Sequence, residues 1–344
     1  DLHLSIRRQR QMCIRDRNNN LLFICNYNYE RYRFAHFKRP PEGATTAPMA
    51  SFGWGPDDLE AVRTICEFNL RALEWPDERP TTDDDWLKAW SPAFDVEKVT
   101  TQFYRDYAAV FKRAEDLIAS EKTLKGDDLR LFTQSLFNRL MFLRFIERKG
   151  WLSFPGQQGT RYLAALADAG GVAGKSLYAS RVRHLFFHGL AEEGRQTATE
   201  YGSVPLLNGG LFEESPLDKK GPRIPDEVFA SVIGSGGLFY KYNFTVEEST
   251  PLDIEVAVDP EMLGKVFEEL VTGRHESGAY YTPRPVVAFM CREALKGHLT
   301  GRTDAPEQGI ARLVDQHDAS GLTEAHAEAI IKALDNLSSK IIYL

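Results

Sequence analysis

Cysteine is scarce in this 344-residue chain, and no two of its cysteines are close enough in sequence to form a CxxC pair. This spacing excludes a sequence-local zinc ribbon and a dense disulfide framework, and it suits a reducing cytoplasm. Long apolar runs are also lacking, since none approaches the roughly 18 residues of a membrane span. We therefore expect a cytoplasmic protein without a membrane partner.

Positive charge is in deficit as well. The net charge is −7, so a nucleic-acid partner would require a local basic groove rather than a general attraction. Hydrophobic residues make up 43% of the chain and charged residues 26%, which excludes a disordered or fibrous protein. The length fits about two domains of typical size.

Residues 1–20 differ in character from the rest of the chain. They contain five arginines and two acidic residues, have no apolar periodicity and lack the apolar centre of a targeting peptide. Their string MCIRDR also resembles translated sequencing-adaptor DNA. We expect residues 1–20 to be disordered or artefactual.

Residues 21–90 form an aromatic-rich N-terminal segment. Pro40-Pro41 and the turn at 53–56 predict extended chain and turns, and a short helix follows from Asp57. Residues 76–85 are polar and acidic, which is typical of a linker.

Residues 91–250 predict a helical connector domain. Apolar residues recur at helical spacing from Phe103 to Ile118. The next helix, about 127–149, is apolar on almost all sides, which is typical of a helix at the centre of a bundle, and Gly150 ends it.

The chain becomes regular again after residue 250, and we place a second domain at 251–344. The whole pattern predicts a mainly α fold with few short strands. No internal repeat is present at the periods that indicate solenoids.

Three short motifs suggest chemistry, but each has a simpler interpretation. Residues 169–176, AGGVAGKS, fit a relaxed phosphate-loop pattern, yet an Ala/Leu-rich helix precedes them where such a loop requires a strand. His184 and His188 could present two imidazoles to a metal from one helical face, but no third ligand is close in sequence. Glu147-Arg148-Lys149 is an E-x-K of the kind restriction nucleases use, and we interpret it as a solvated helix end.

The strongest signal is residues 276–287, ESGAYYTPRPVV. Thr282 is a good N-cap residue, and Pro283 suits the first helical position, where its missing N–H costs nothing. Apolar residues then follow on one helical face: Val287, Met290, Cys291, Ala294 and Leu295. A helix start of this kind directs unpaired N–H groups towards an anion such as a carboxylate, although by itself it indicates only a well-capped helix.

The segment GAYYTPRPVVAFM resembles the G-x-Y-[YF]-T-P-x-x-[VI]-[VA] motif of gamma-class adenine-N6 DNA methyltransferases, including those of fused type IIG/IIL restriction-modification enzymes and phage-exclusion (BREX) systems. Further stretches between about residues 29 and 295 are similar to the same family in the same order: RYRFAHFKRPPEGATTAP, FGWGPDD, FYRDYAAVF, LFNRLMFLRFIERKGWL, VPLLNGGLFE and LGKVFEELV.

The resemblance implies a site and a substrate. Tyr280, Tyr281, Thr282 and Pro283 would border the methionine end of S-adenosylmethionine, and double-stranded DNA would be the substrate. A nuclease or defence subunit, fused or separate, would be a partner. Residues 251–344 would then be the leading helices of a truncated α/β, Rossmann-like methyltransferase domain.

The same resemblance shows what these 344 residues do not contain. The family's glycine-rich cofactor loop and its Asn-Pro-Pro-Tyr motif are both absent from the sequence. We therefore expect an N-terminal fragment that is inactive alone, with residues 341–344 as the start of the cofactor-bearing strand.

Two alternatives to a methyltransferase region remain open. The first is a non-catalytic connector that contacts DNA backbone or a partner subunit, through groups such as Arg139, Arg144 and Arg148. The second is a phosphate-loop NTPase. Titration with S-adenosylmethionine would separate the methyltransferase from both.

Overall fold

The computed structural model describes residues 21–37, 48–75, 80–156, 161–207, 210–245, 253–258, 284–316 and 318–341. The chain divides into two compact units, Asp1–Val266 and Phe267–Leu344. The predicted cofactor residues, residues 1–20 and the segment LGKVFEELV lie outside the described residues.

A four-stranded sheet in the first unit has the order β1 (Leu21–Cys25), β2 (Tyr32–Phe37), β3 (Met49–Trp54) and β6 (Asp253–Glu255). The first three strands are antiparallel neighbours, and β6 pairs in parallel with β3. Gly53 is required in β3, because a Cβ atom there would lie 2.4 Å from the carbonyl oxygen of Tyr32. A separate antiparallel pair consists of β4 (Thr197–Ala198) and β5 (Gly202–Ser203).

Helices account for most of the remaining first unit, which confirms the mainly α prediction. Three short π-helical segments lie among them within the described residues: Cys66–Leu70, Tyr178–Val182 and Leu185–Gly189. The α-helices are α1 (Leu59–Ile65), α2 (Asp83–Trp90), α3 (Val96–Ser120), α4 (Gly126–Arg148), α5 (Tyr162–Ala169), α6 (Pro216–Lys219), α7 (Asp226–Val232) and α8 (Leu238–Lys241).

The start of α2 corrects the predicted linker at 76–85. Thr82 accepts a hydrogen bond from the backbone N–H of Asp85, and the Asp85 carboxylate accepts one from the N–H of Thr82. This capping box satisfies two N–H groups that would otherwise be unpaired, so the acidic run begins a helix at Asp83.

The two long helices confirm the periodicity argument. On α3, the buried face consists of Val99, Phe103, Tyr107, Phe111, Ala114 and Ile118. On α4, Phe137 and Leu140 are at most 1% exposed. Gly150 adopts φ +75° just beyond α4, and its N–H donates to the carbonyl of Glu147 at 2.8 Å, as a glycine that ends a helix does.

The described residues of the second unit form three helices: α9 (Arg284–Thr300), α10 (Glu307–Gln316) and α11 (Glu324–Ile341). Their core is a small cluster of Leu299, Ala305, Ile310, Ile330 and Ala333. Ile341 is still helical, so a strand does not begin at that residue as we had expected. None of the helices within the described residues is both long and apolar enough to cross a membrane.

Candidate functional site

The predicted cofactor residues are followed directly by α9. Its first described residue is Arg284, immediately after Pro283 in the sequence. The N-terminal half of this helix is open: Val287, Met290 and Cys291 are all exposed. Among the described residues, the predicted apolar face packs towards its C-terminal end, where Leu295 contacts the cluster of the second unit.

Three arginines on α4 form the main polar framework of the first unit. The first is Arg139, which binds both oxygens of Asp218 at 2.9 Å. Its Nε also donates to the carbonyl of Leu211 at 2.7 Å, and its guanidinium lies 5.0 Å from the ring centre of Phe187. The burial of Asp218 opposes its ionisation, but hydrogen bonds from Arg139 and Ser215 outweigh that effect and lower the pKa of Asp218.

The second arginine, Arg144, forms a buried ion pair with Glu147 one turn further along α4. Glu147 also accepts a hydrogen bond from the Tyr240 hydroxyl at 2.9 Å and one from the N–H of Leu163 at 2.7 Å. Burial raises the pKa of the Glu147 carboxyl, against the opposing effect of Arg144. The Arg144 guanidinium lies 4.3 Å from the ring centre of Tyr240, and Arg161 lies 4.7 Å from the same centre.

The third arginine, Arg148, connects α4 to the segment between the sheet and α1. Its Nη1 donates to Asp58 Oδ1 at 2.8 Å. The other Asp58 oxygen accepts the N–H of Gly55 at 3.1 Å. A neighbouring ion pair joins Arg161 to Glu60 on α1, and its hydrogen bonds lower the pKa of Glu60 although burial acts in the opposite direction.

These pairings correct two expectations. Arg139 and Arg144 are 2% exposed and their charges are neutralised inside the unit, so they cannot contact DNA phosphates. Arg148 is already paired with Asp58. Glu147 of the E-x-K is 1% exposed, so this helix end is not solvated at that position.

Sequence analysis missed this framework, although a signal was present. Arginine placed repeatedly in an apolar helix has to be either exposed or paired, because an unpaired buried charge is very costly. The sequence did not show the partners of Arg139 and Arg148, because Asp218 and Asp58 lie 79 and 90 residues away from them.

The phosphate-loop pattern is a structural turn. The helix α5 precedes it, where a phosphate loop would need a strand. Two of its N–H groups are engaged within the unit: that of Val172 donates to Ser180 Oγ at 3.1 Å, and that of Lys175 donates to Val172 O at 3.1 Å.

His184 and His188 lie side by side, with ring centres 5.5 Å apart. His188 Nδ1 is 2.9 Å from the Glu192 carboxylate. Burial, followed by the neighbouring His188, lowers the pKa of His184. Within the described residues, no group of three or more His, Cys, Asp or Glu side chains is placed to hold a metal ion.

Comparison with known proteins gives one informative similarity. Over 237 residues the chain is 25% identical to a protein of Methanocaldococcus jannaschii that is named as a type II restriction enzyme and methyltransferase, an assignment its own name gives as provisional. The match covers 58% of this chain but only 19% of the relative, so this chain corresponds to a small part of that protein. No protein-family profile and no solved structure matches the chain.

Proposed function

We propose that this chain is the part of a site-specific DNA methyltransferase that precedes the S-adenosylmethionine loop, in a restriction-modification or phage-exclusion system. The observation that carries the proposal is the ordered set of motifs ending in GAYYTPRPVVAFM. The identity of 25% over 237 residues with a relative named as a restriction enzyme and methyltransferase supports the same class. The proposed reaction is methylation of adenine N6.

The proposed cofactor is S-adenosylmethionine, which would supply the methyl group. Tyr280 and Tyr281 would form one wall of its site, and Thr282 would cap α9 with Pro283 at the first helical position. Arg284, the first described residue of α9, is already helical, which is consistent with a cap at Thr282 and a proline at the first helical position. None of these residues has a role in proton transfer in the proposal.

The proposed substrate is double-stranded DNA in the cytoplasm, with the target adenine rotated out of the duplex. A nuclease or defence subunit, fused or separate, is the proposed partner. The described residues of the first unit would serve as the connector, and its arginine framework would keep this connector rigid.

A non-catalytic connector is the second candidate. It is favoured by α4, whose three arginines each hold a different distant segment of the first unit. In that case the chain would join other subunits without contributing to a cofactor site.

Calorimetric titration distinguishes the two candidates. A longer form of the protein, extended through a glycine loop and an Asn-Pro-Pro motif, should bind S-adenosylmethionine and methylate adenine in duplex DNA. Tyr281→Ala should raise the cofactor Kd. Thr282→Ala should lose about 0.5–2 kcal/mol of helix capping and weaken cofactor binding more than DNA binding.

The matched control is Leu131→Ala, an exposed position on α4 that should leave cofactor affinity unchanged. Unchanged cofactor affinity in both site variants would show that the motif only caps a helix and does not contribute to a cofactor site. A longer protein that binds no cofactor would favour the connector.

A further inference from the structure

One face of the four-stranded sheet carries a ladder of aromatic rings. The register places Phe23 opposite Phe34 and Phe34 opposite Phe52, so all three point to the same side. Successive ring centres are 4.9 and 5.3 Å apart. Phe52 is fully buried beneath Phe94, whereas Phe23 is 57% exposed, so the ladder leaves the core and ends at the surface.

A second pair of rings extends the ladder. Tyr32 and Trp54 lie opposite each other with ring centres 5.4 Å apart, and Phe23 stacks on Tyr32 within 10° of parallel. Both of these residues are half-buried. The face therefore consists of closely packed rings with interplanar angles between 10° and 43°, and its outermost ring, Phe23, is exposed to solvent.

The turn between β1 and β2 presents two further tyrosines. Tyr27 is 97% exposed and Tyr29 is 71% exposed. The turn is nevertheless well defined, because the Asn26 side chain accepts hydrogen bonds from the N–H groups of Glu30 and Arg31 at 2.8 and 3.0 Å. Tyr29 adopts φ +55°, which is unfavourable for a non-glycine residue and requires such support.

This aromatic segment is also basic. Residues 27–39, YNYERYRFAHFKR, contain four basic residues and one acidic residue in a chain of net charge −7. Arg31 has 58% of its side chain exposed and only a distant partner, with 3.8 Å to Asp57. Arg33 lies on the opposite face of the sheet and pairs with Glu255 at 3.3 Å, and residues 38 and 39 lie outside the described residues, so Arg31 is the cation that the structure places beside the turn. Its charge and the exposed rings favour a polyanion with aromatic groups over an apolar protein surface.

We propose that this aromatic hairpin, residues 21–37 together with Trp54, binds single-stranded nucleic acid. Unpaired bases stack on Phe23, Tyr27 and Tyr29, and Arg31 neutralises phosphate charge. Every base has a π face, so such stacking does not depend on sequence, whereas the bases of an intact duplex are stacked on each other and cannot use it. The proposal depends on the first unit alone and not on the proposed methyl transfer.

Fluorescence anisotropy with the full chain tests this proposal. The probe is a labelled oligothymidylate of about 20 nucleotides, longer than the roughly 4–16 nucleotides such surfaces occupy. We expect binding that weakens with added salt and that exceeds binding to a duplex of equal length. Phe23→Ala, Tyr27→Ala and Tyr29→Ala should each raise Kd at least about five-fold, and Phe23→Trp should retain binding.

The matched control is Trp151→Ala, which removes a ring that is also 57% exposed but lies outside the hairpin. It should leave Kd unchanged, and far-ultraviolet circular dichroism should be the same for all variants. Absence of binding, equal binding of the duplex, or equal losses in Trp151→Ala would each overturn the proposal. So would binding that survives the triple alanine variant.

Discussion

Arg139 and Asp218 form a two-point ion pair inside the first unit, with both N–O distances at 2.9 Å and almost no exposed surface on either residue. The pair joins α4 to α6, and the two residues lie 79 positions apart in the sequence. Its geometry satisfies both carboxylate oxygens, and the two remaining guanidinium contacts are to backbone carbonyls of Leu211 and Glu213.

Removal of one member of this pair should be strongly destabilising. We expect Asp218→Ala to lower the free energy of unfolding by about 3–5 kcal/mol, because it leaves the Arg139 charge buried and unpaired. Urea denaturation followed by tryptophan fluorescence would measure this, since all five tryptophans lie in the first unit. Glu67→Ala, which breaks the exposed pair with Arg63, should cost no more than about 1 kcal/mol. Equal losses in the two variants would contradict the argument.

The same pair should make stability depend on acid. The pKa of Asp218 is lowered in the folded protein, so its contribution is present above the ordinary aspartate pKa of 3.8 and is lost as the pH falls through the folded value. We expect the urea concentration at the unfolding midpoint to decrease when the pH is lowered below about 4. Asp218→Asn should lose part of that dependence, and an unchanged pH profile would show that other carboxylates account for it.

Replacing Arg144 and Glu147 together should destabilise the first unit less than the two single replacements would suggest. Either Arg144→Met or Glu147→Gln alone should destabilise the first unit, because each leaves one buried partner without its counter-charge. The double variant should be less destabilised than the sum of the two, since no unpaired charge remains. A double-mutant cycle from urea midpoints measures the coupling, and additive effects would mean that the two charges do not interact.

The centre of α4 should be sensitive to loss of volume. Phe137→Ala and Leu140→Ala should each cost roughly 2–5 kcal/mol, because both side chains are almost completely buried. Leu131→Ala on the same helix is the control, since Leu131 is 56% exposed and its truncation should stay within about 0.5 kcal/mol. Thermal unfolding would rank the three, and near-neutral effects at Phe137 and Leu140 would contradict their central position.

Deletion of residues 1–20 should leave the fold unaffected. The segment has no apolar periodicity, and its local charge is opposite in sign to that of the rest of the chain. We expect the melting temperature to change by no more than about 2 °C, equivalent to a few tenths of a kcal/mol for a chain of this size. A larger decrease would show that the segment packs against the protein.

Local signals in the sequence determined most of the helical architecture. The apolar spacing of α3 and α4 and the glycine after α4 depend on neighbours within about one turn, so they are visible without a structure. The capping box of α2 was equally local, but the acidic composition of residues 76–85 concealed it. The resemblance to methyltransferases likewise came from short motifs that are read directly from the sequence.

Only the tertiary structure decided which distant groups meet. The parallel pairing of β6 with β3 joins residues about 200 positions apart, and no periodicity encodes that choice. The roles of Arg139 and Arg148 changed for the same reason, and that of Arg144 changed because it and its neighbour Glu147 are buried. A charged side chain in an apolar helix is compatible with either a DNA phosphate or a buried carboxylate. Burial and the position of Asp218, Glu147 and Asp58 selected the carboxylates, because an arginine can remain inside a protein only where its charge is matched.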